Sequence, residues 1–332
     1  MLLALDAMGG DNAPHEPCKG AILACREFSD LEIILVGNRA QIEPIIDQAA
    51  DDVRRRLSVV HTEEYISMDE HPSRSIRQKR HSSLRLAMEM ARSGEAQGCV
   101  SAGNTGAIVA GGVLVVGRIS GIDRPALGVA MPTLNKYTFL LDVGATVRAK
   151  PINLYQFALM GNIYSKYILG VPSPEIALLS NGSEDIKGDE VIASAKEMLK
   201  VSSLNFTGYV EGDEVPFSKA DVVVCDGFSG NVVLKFAEGV IQAVYSIAKE
   251  EMGRRILPKI GMVFMVPMLK SLWGRFDYEK HGGTPLLGVK GVVIKAHGRS
   301  KAPAVASAIR VARNFVLQKG VEHITNELHK EV

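Results

Sequence analysis

The hydrophobic and polar positions of this chain alternate between two patterns. Short, nearly continuous apolar runs end in polar, glycine-rich turns, and most of these turns precede segments with apolar residues at helical spacing. The apolar runs lie at 2–5, 32–37, 98–100, 139–144, 175–180, 221–227 and 291–298. The helical segments lie at 21–28, 42–50, 191–199, 232–252 and 304–318. This alternation predicts βαβ units with mostly parallel strands.

The same pattern predicts the architecture of the whole chain. Strands that are apolar throughout need helices on both faces of the sheet, so we predict a three-layer α/β/α fold. No Pro- or Ser-rich linker divides the 332 residues, and we expect one catalytic unit over 1–332 with a smaller subdomain or insertion. The stretch 62–86 is more polar and is predicted to leave the sheet.

Composition and charge narrow the classes of function. The chain has 46% hydrophobic residues, 23% charged residues and a net charge of +1, so its overall charge does not attract nucleic acid. Its four cysteines, Cys18, Cys25, Cys99 and Cys225, have no metal-ligand spacing and are expected to be free thiols in a reducing compartment. Asp6 interrupts the apolar start before a signal peptide could form, so we expect a cytoplasmic protein.

Two glycine-rich turns are the strongest candidates for a site. Open parallel sheets bind ligands at the carboxyl ends of their strands, where we expect these turns to meet. SAGNTGA at 101–107 opens a helix, where free N–H groups favour an anion, unless it is only a tight turn capped by Thr105. CDGFSGN at 225–231 has the same form and is predicted to be the second wall of one oxygen-rich site. The residues assigned to it are Ser101, Gly103, Asn104, Thr105, Gly106, Asp226, Gly227, Ser229, Gly230 and Asn231.

Two further turns add ionisable groups. The segment 181–190 supplies Asn181 and Lys187, although a solvated capping loop explains this segment as well. The segment 294–300 supplies Lys295 and His297, and histidine is the natural acid or base near neutral pH. The acids form no metal-ligand cluster, so no metal is expected, and there is no GxxxxGK[ST], HExxH or GxSxG motif.

A basic run over 74–85 contains no acid. Such a run is either a solvated face or a surface that attracts an acidic partner or a phosphate. Nucleic acid is disfavoured as the partner because no aromatic residues interleave with the charges. The cations of this run are Arg74, Arg77, Lys79, Arg80 and Arg85.

The segment 254–276 is apolar with basic flanks. Its uncharged core is far shorter than the ~20 residues that span a bilayer. We expect it to lie in a membrane interface, to bury in a dimer contact, or to bind an acyl chain or a helical partner. Its characteristic apolar residues are Phe264, Met265, Leu269 and Trp273.

Several motifs together resemble one family. They are DAMGGDNAP at 6–14, SAGNTGA, GIDRPAL at 121–127, LLDVGA at 140–145, CDGFSGN followed by VVLK, and VIKAHG at 293–298. In this order and spacing they resemble the PlsX family of phosphate acyltransferases from residue 4 to about 315. The resemblance implies transfer of a fatty acyl group from acyl-[acyl-carrier protein] to inorganic phosphate, without a cofactor. The acyl phosphate would pass to a membrane glycerol 3-phosphate acyltransferase for phospholipid synthesis.

The resemblance also implies properties of the whole molecule and roles for its residues. It implies an isocitrate/isopropylmalate dehydrogenase-like fold, a homodimer and peripheral association with an anionic membrane. The glycine-rich turns and Asn181 would bind phosphate, the basic run would dock the acidic carrier protein, and Lys187, Lys235 and His297 would stabilise charge or transfer protons. Gly230, Asn231 and Lys235 also resemble a turn and helix that line the cleft of phosphotransacetylases.

The chemistry of this reaction needs few specialised groups. Phosphate is already an anionic nucleophile and a thiolate leaves easily, so positioning and oxyanion donors are sufficient. Two alternative functions are an NAD-dependent β-decarboxylating dehydrogenase and a non-enzymatic scaffold for lipid enzymes.

Overall fold

The computed structural model describes residues 1–134, 136–182, 189–254 and 282–331. The first elements are β1 (Leu2–Asp6), α1 (His15–Glu27), β2 (Glu32–Gly37), α2 (Arg39–Ile46), α3 (Asp51–Arg54), β3 (Leu57–His61), α4 (Pro72–Gln78), α5 (Ser83–Ser93), β4 (Gly98–Ser101) and α6 (Thr105–Gly111), which continues as a π-helix over Gly112–Val116. Next come β5 (Ala126–Pro132), β6 (Tyr137–Leu141), α7 (Pro151–Tyr167), β7 (Ile176–Leu179), α8 (Glu190–Lys200), β8 (Phe206–Val210), a 3₁₀ turn (Val215–Phe217), β9 (Val222–Val224) and α9 (Gly227–Arg254). The last are β10 (Thr284–Leu287), β11 (Val292–Lys295), α10 (Ala302–Leu317) and α11 (Gly320–Glu331).

The elements read from the apolar pattern are confirmed. Each predicted apolar run contains a strand, and each predicted helical segment contains helix. Four strands were not predicted, namely β3, β5, β8 and β10. Two of these, β3 and β8, lie at the two ends of the sheet, and half-exposed edge strands lack the continuous apolar run that identifies buried ones.

The strands of the described residues form one 11-stranded sheet. Its order is β3-β2-β1-β4-β11-β10-β5-β6-β9-β7-β8. Seven neighbouring pairs are parallel, and the three that involve β10 or β5 are antiparallel. The prediction of a mostly parallel α/β sheet is therefore confirmed. Because the three successive pairs β11–β10, β10–β5 and β5–β6 are antiparallel, β6 to β9 run opposite to β1–β4 and β11.

The buried side chains form two clusters that alternate along the strands. Leu3 and Leu5 of β1 belong to a cluster with apolar residues of α1, α7 and α10. Ala4 between them belongs to the other cluster, with apolar residues of α5, α6 and α9. Successive strand residues point to opposite faces, so helices cover the sheet on both sides.

The polar stretch 62–86 contains α4 and the beginning of α5, and it connects β3 to β4. Thr62 closes it at its base, because its hydroxyl donates to the His81 carbonyl at 2.6 Å. None of the helices in the described ranges combines the length and the hydropathy needed to cross a bilayer.

Candidate active site

Three turns meet where the parallel strands β1, β4 and β11 end. The buried carboxylate of Asp6 accepts the Ser101 hydroxyl at 2.7 Å, and Ser101 Oγ accepts the N–H of Gly103 at 3.0 Å. A Cβ on Gly9 would lie 2.5 Å from the Asp6 carboxylate and 2.8 Å from the Gly103 nitrogen, so only glycine fits there. Burial raises the pKa of Asp6, although its hydrogen bonds act in the opposite direction. We call residues 6–11, 101–106 and 296–299 the first turn cluster.

Asn104, and not Thr105, is the N-cap of α6. Its side-chain oxygen accepts the Ala107 N–H at 3.1 Å, while its side-chain nitrogen donates to the Met68 carbonyl at 2.7 Å. Asn104 therefore fixes the 62–86 segment against the β4 turn. Within SAGNTGA, the N–H groups of Thr105 and Gly106 belong to the first turn of α6, where helix geometry provides no intrahelical acceptor and the helix dipole favours an anion.

Gly106 has a packing role as well. A Cβ at this position would lie 2.5 Å from Cγ of Pro72 and 2.8 Å from its Cβ. The absence of a side chain at Gly106 thus lets α6 pack closely against α4. A bulky residue at Gly106 would therefore disturb the contact between α6 and α4.

A second turn cluster lies where β6 and β9 end. The Asp142 carboxylate is buried and accepts N–H groups of Leu127, Gly144, Ala145 and Thr146 at 2.6–3.1 Å. Burial raises the pKa of Asp142, against the effect of these hydrogen bonds. The carboxylate organises the turn that receives the start of α9.

The glycines of CDGFSGN allow α9 to begin against this turn. A Cβ on Gly227 would lie 2.6 Å from the Asp142 carboxylate, and one on Gly230 would overlap the Asp142 main-chain oxygen. Asp226 precedes the helix and accepts the Ser229 hydroxyl at 2.7 Å and the Ser229 N–H at 3.0 Å. Gly227 and Gly230 therefore serve helix packing, and Asp226 serves as the cap.

The two glycine-rich turns do not share one edge of the sheet. SAGNTGA follows β4, whereas CDGFSGN follows β9, which runs in the opposite direction. The expectation that the carboxyl ends of all these strands line one edge is wrong, because β10 and β5 invert the direction within the sheet. Asn231 belongs to the second cluster, where its side chain lies beside Gly144.

Helix α9 connects the two clusters. It starts at the second cluster and brings Lys235 and Glu238 to the end of β11, where their charges act on Lys295. Burial lowers the pKa of Lys295, Glu238 opposes this shift, and Lys235 adds to it. Burial raises the pKa of Glu238. Burial also lowers the pKa of His297, as do the charges of Lys295 and Arg299.

These groups form what we call the cationic cluster: Lys235, Lys295 and His297, with Glu238. His297 Nδ1 accepts the backbone N–H of Arg299 at 3.1 Å, so the proton of the neutral ring is on Nε2. The β11 end lies directly beside the first turn cluster, because Lys295 pairs with Ser101 and the Ala296 N–H donates to the Ser101 carbonyl. The charges of both lysines thus act on Glu238, an acid whose ionisation burial disfavours.

Two cavities lie next to each other, and Val233 of α9 and Gly212 line both. The Lys295 cavity has a volume of about 680 Å³ and is bounded by Glu238, Lys295 and His297 at one side. The Asp226 cavity has a volume of about 630 Å³. Its polar lining comprises Arg148, Ser180, Asn181, Asp189, Asp226 and Ser229. The structure therefore places Asn181 and Ser229 away from the Lys295 side chain, on the other cavity.

Several predicted residues lie outside the described residues. Lys187 is one, and the segment 254–276 is described only at its first residue. The apolar residues assigned to that segment are Phe264, Met265, Leu269 and Trp273.

The basic run divides into exposed and paired cations. Arg74, Arg77 and Arg80 are exposed. Lys79 contacts Glu70 at 2.7 Å, and Arg85 contacts Glu89 at 2.8 Å. These ion pairs hold Lys79 and Arg85 against α4 and α5, and the docking of a partner on the five cations stays a prediction.

Glu238 was not noted in the sequence, and Lys295 was noted at the end of its strand but was given no role. A lysine at the last position of an otherwise apolar strand was the available signal for Lys295. No feature of the sequence distinguished Glu238 as a site residue, since an acid in an amphipathic helix is usually solvated. Among the described residues, no group of three or more His, Cys, Asp or Glu side chains is arranged to hold a metal ion.

Solved structures with this fold include phosphotransacylases and a dehydrogenase. A phosphotransacetylase from Streptococcus pyogenes superimposes with a TM-score of 0.64 at 16% identity, covering 96% of this chain and 94% of its own. A 4-hydroxythreonine-4-phosphate dehydrogenase from Klebsiella pneumoniae superimposes with a TM-score of 0.51 at 13% identity, covering 95% of this chain and 99% of its own. At these identities the likeness concerns the fold alone.

Sequence relatives are much more similar. The family model described as "Fatty acid synthesis protein" matches residues 1–323. A phosphate acyltransferase from Heliobacterium modesticaldum is 47% identical over 332 residues, which is all of this chain and 99% of the relative. One from Bacillus cereus is 43% identical with the same coverage. The resemblance drawn from the motifs is confirmed, and the chain belongs to the PlsX family of phosphate acyltransferases.

Proposed function

We propose that this protein transfers a fatty acyl group from acyl-[acyl-carrier protein] to inorganic phosphate, giving an acyl phosphate for phospholipid synthesis. Its relatives are named phosphate acyltransferase, and the match to them extends over nearly their whole length. The observation that carries the proposal is the cationic cluster. Lys235 and Lys295 interact by charge beside the glycine-rich first turn cluster, and Lys295 lines a cavity together with Glu238, an acid that burial holds toward its neutral form.

This arrangement suits a phosphate dianion. Two ammonium groups offset its charge in a partly buried site, where electrostatic attraction is stronger than in water. The N–H groups of Thr105 and Gly106 on the adjoining turn are further donors. We assign phosphate to this place rather than to the Gly227–Gly230 turn, whose glycines are occupied by helix packing.

The reaction then needs only positioning and charge stabilisation. A phosphate oxygen attacks the thioester carbonyl carbon, the new C–O bond forms, and the C–S bond breaks with departure of the carrier thiolate. A lowered pKa keeps His297 neutral at pH 7, so its Nε2–H is available to donate to the developing oxyanion. No proton is required by the thiolate at the moment it leaves, because a simple thiol has a pKa of about 8.5. Lys187 stays a candidate for the same charge stabilisation.

The test is phosphate-dependent release of free carrier-protein thiol by the purified protein. We expect K295M to lower kcat/KM about 10²–10³-fold, the typical loss of one preorganised charge-stabilising donor. The control is K290M, an exposed lysine five residues earlier that lines neither cavity. Equal activity of K295M and K290M would refute the site. NADH formation without thiol release would favour the dehydrogenase, and neither activity would favour the scaffold.

We further propose that the acidic carrier protein docks on Arg74, Arg77 and Arg80, which are exposed on and beside α4. The R77E/R80E double variant should raise the KM for the acylated carrier much more than the KM for phosphate. K19E/K290E changes the total charge equally at exposed positions elsewhere and should leave both KM values unchanged. Parallel increases of both KM values in R77E/R80E would discard the docking surface.

A homodimer and peripheral association with anionic membranes are also proposed, with the isocitrate/isopropylmalate dehydrogenase-like, three-layer form of the fold. Exposed apolar residues at four-residue spacing on α9 support an apolar contact; they are Phe228, Val232, Phe236, Val240 and Val244. Anionic vesicles should sediment the protein and change Trp273 fluorescence. No change in either, with a dimer in sedimentation velocity, would assign the apolar residues to the dimer alone.

A further inference from the structure

We infer that the Lys295 cavity is the binding site of the fatty acyl chain, with the thioester carbonyl at Lys295 and His297 and the methyl end toward residues 212–216. The inference rests on the proposed function. It adds where the acyl group binds, in which direction its chain extends, and how long a chain the cavity can hold. The cavity is the space of about 680 Å³ between α9 and the sheet.

Apolar side chains from separate elements form the walls of this cavity. β5 contributes Val129 and Met131, α9 contributes Ala237 and Ile241, and α10 contributes Ala304. Such walls offer few hydrogen-bonding partners, so a polar ligand would lose its hydration there without compensation. A hydrocarbon chain loses nothing and gains from leaving water.

The direction of the cavity follows from the strand order. Lys295 pairs with Thr284 of β10, and β10 pairs next with β5, so the cavity extends across these neighbouring strands. Beyond β5, the Pro216 carbonyl accepts the Leu134 N–H at 3.0 Å, which places the 212–216 segment on the far side. A bound molecule would therefore lie from the cationic cluster across the sheet to this segment.

The charged lining is confined to the two sides. Glu238, Lys295 and His297 lie at the β11 side, and Asp213 lies in the exposed segment on the far side. The walls between them are mostly apolar, with Thr284 and Ser300 as the uncharged polar residues of the lining. One polar end beside the proposed phosphate position, followed by an apolar interior, matches a molecule with one reactive carbonyl and a long alkyl chain.

The limited volume of the cavity predicts chain-length selection. Its volume falls within the range of small-molecule sites, roughly 300–1,000 Å³. Each methylene that enters the apolar part should raise kcat/KM about fourfold, and methylenes beyond the far wall should add nothing. The slope of log kcat/KM against chain length therefore measures how much chain the cavity holds.

The test uses the full chain, phosphate, and carrier proteins loaded with saturated acyl groups of increasing length. A237F fills the roof of the cavity and should move the end of the rising slope to shorter chains, while the KM for phosphate stays constant. A243F places the same substitution at an exposed position of the same helix that does not line the cavity. M131A removes a wall and should move the end of the slope to longer chains.

A second readout is independent of turnover. The fluorescent fatty acid cis-parinaric acid should bind the native protein and A243F with similar affinity. Its affinity for A237F should be at least tenfold lower. If A237F lowers kcat/KM equally for every chain length, or if parinaric acid binds A237F and A243F alike, the inference is overturned. Failure of the proposed function gives another result, in which no acyl substrate releases thiol but parinaric acid still distinguishes the two variants.

Discussion

Asp142 allows the clearest quantitative prediction, through its replacement by the isosteric asparagine. Its Oδ1 accepts the N–H groups of Leu127, Gly144 and Ala145, and its Oδ2 accepts those of Ala145 and Thr146. In D142N one oxygen becomes an NH₂ group. If the remaining oxygen occupies the Oδ1 position, the Thr146 N–H at 2.6 Å loses its acceptor, and the new NH₂ group faces other donors.

Asp6 provides the matched comparison. It is also a buried strand-end carboxylate, but its Oδ2 accepts a hydroxyl, that of Ser101 at 2.7 Å. A hydroxyl can reverse its role and accept from the NH₂ group of D6N, which a backbone N–H cannot do. Burial raises the pKa of both carboxyls, so both amides avoid burial of a charge, and the difference between the variants isolates the hydrogen-bond geometry.

The magnitudes follow from the number of groups left unpaired. Two buried unsatisfied groups cost about 2–6 kcal/mol in D142N, whereas one altered hydrogen bond costs about 1 kcal/mol in D6N. For 332 residues the unfolding entropy is about 0.7 kcal/mol/K, so Tm should fall by about 3–9 °C in D142N and by about 1–2 °C in D6N. Differential scanning calorimetry at pH 7 measures both. Equal shifts, or a larger shift in D6N, would refute the reasoning.

Two further predictions concern packing and pH. G106A should lower stability by about 1–3 kcal/mol, because its Cβ meets Pro72, whereas G239A in an open helical position should raise it by about 0.5–1 kcal/mol; thermal unfolding of both gives the comparison. Burial raises the pKa of Glu70, but hydrogen bonds from Lys79 and serines outweigh this and lower the pKa to about 2. A depressed carboxyl pKa stabilises the fold above about pH 4.5 and loses this effect as pH falls toward 2. K79M should therefore cost up to about 1 kcal/mol at pH 7, with a difference from the native protein that narrows below pH 4.5 in urea titrations; a constant difference would contradict the pairing.

The positions of the strands could be predicted from the sequence, but their directions could not. A continuous apolar run identifies a buried strand, as in Glu32–Gly37 or Val292–Lys295. Direction depends on which strands become neighbours. β10 and β5 are short segments without a distinctive pattern, yet their three antiparallel pairings reverse one half of the sheet relative to the other.

The candidate site was predictable only in part, for a related reason. The glycine-rich turns were visible because glycine clusters are rare inside apolar patterns. What each glycine permits was not visible, since Gly230 is required by the approach of Asp142, almost ninety residues earlier in the chain. Asn104 likewise contacts the carbonyl of Met68, and sequence spacing gives no information on such a contact.

The inversion of the sheet explains why α9 is central to the proposed site. Two turns that follow oppositely directed strands lie at opposite edges of the sheet and cannot both contact one small substrate. A third element must therefore extend from one turn cluster to the other. Lys235 lies eight residues after the start of α9, which corresponds to about 12 Å along the helix from the Asp142 turn. Because α9 is rigid over this distance, the contact of Gly230 with Asp142 sets the position of Lys235 and Glu238 beside Lys295. A substitution that lifts the start of α9 would therefore disturb the cationic cluster without touching any of its residues.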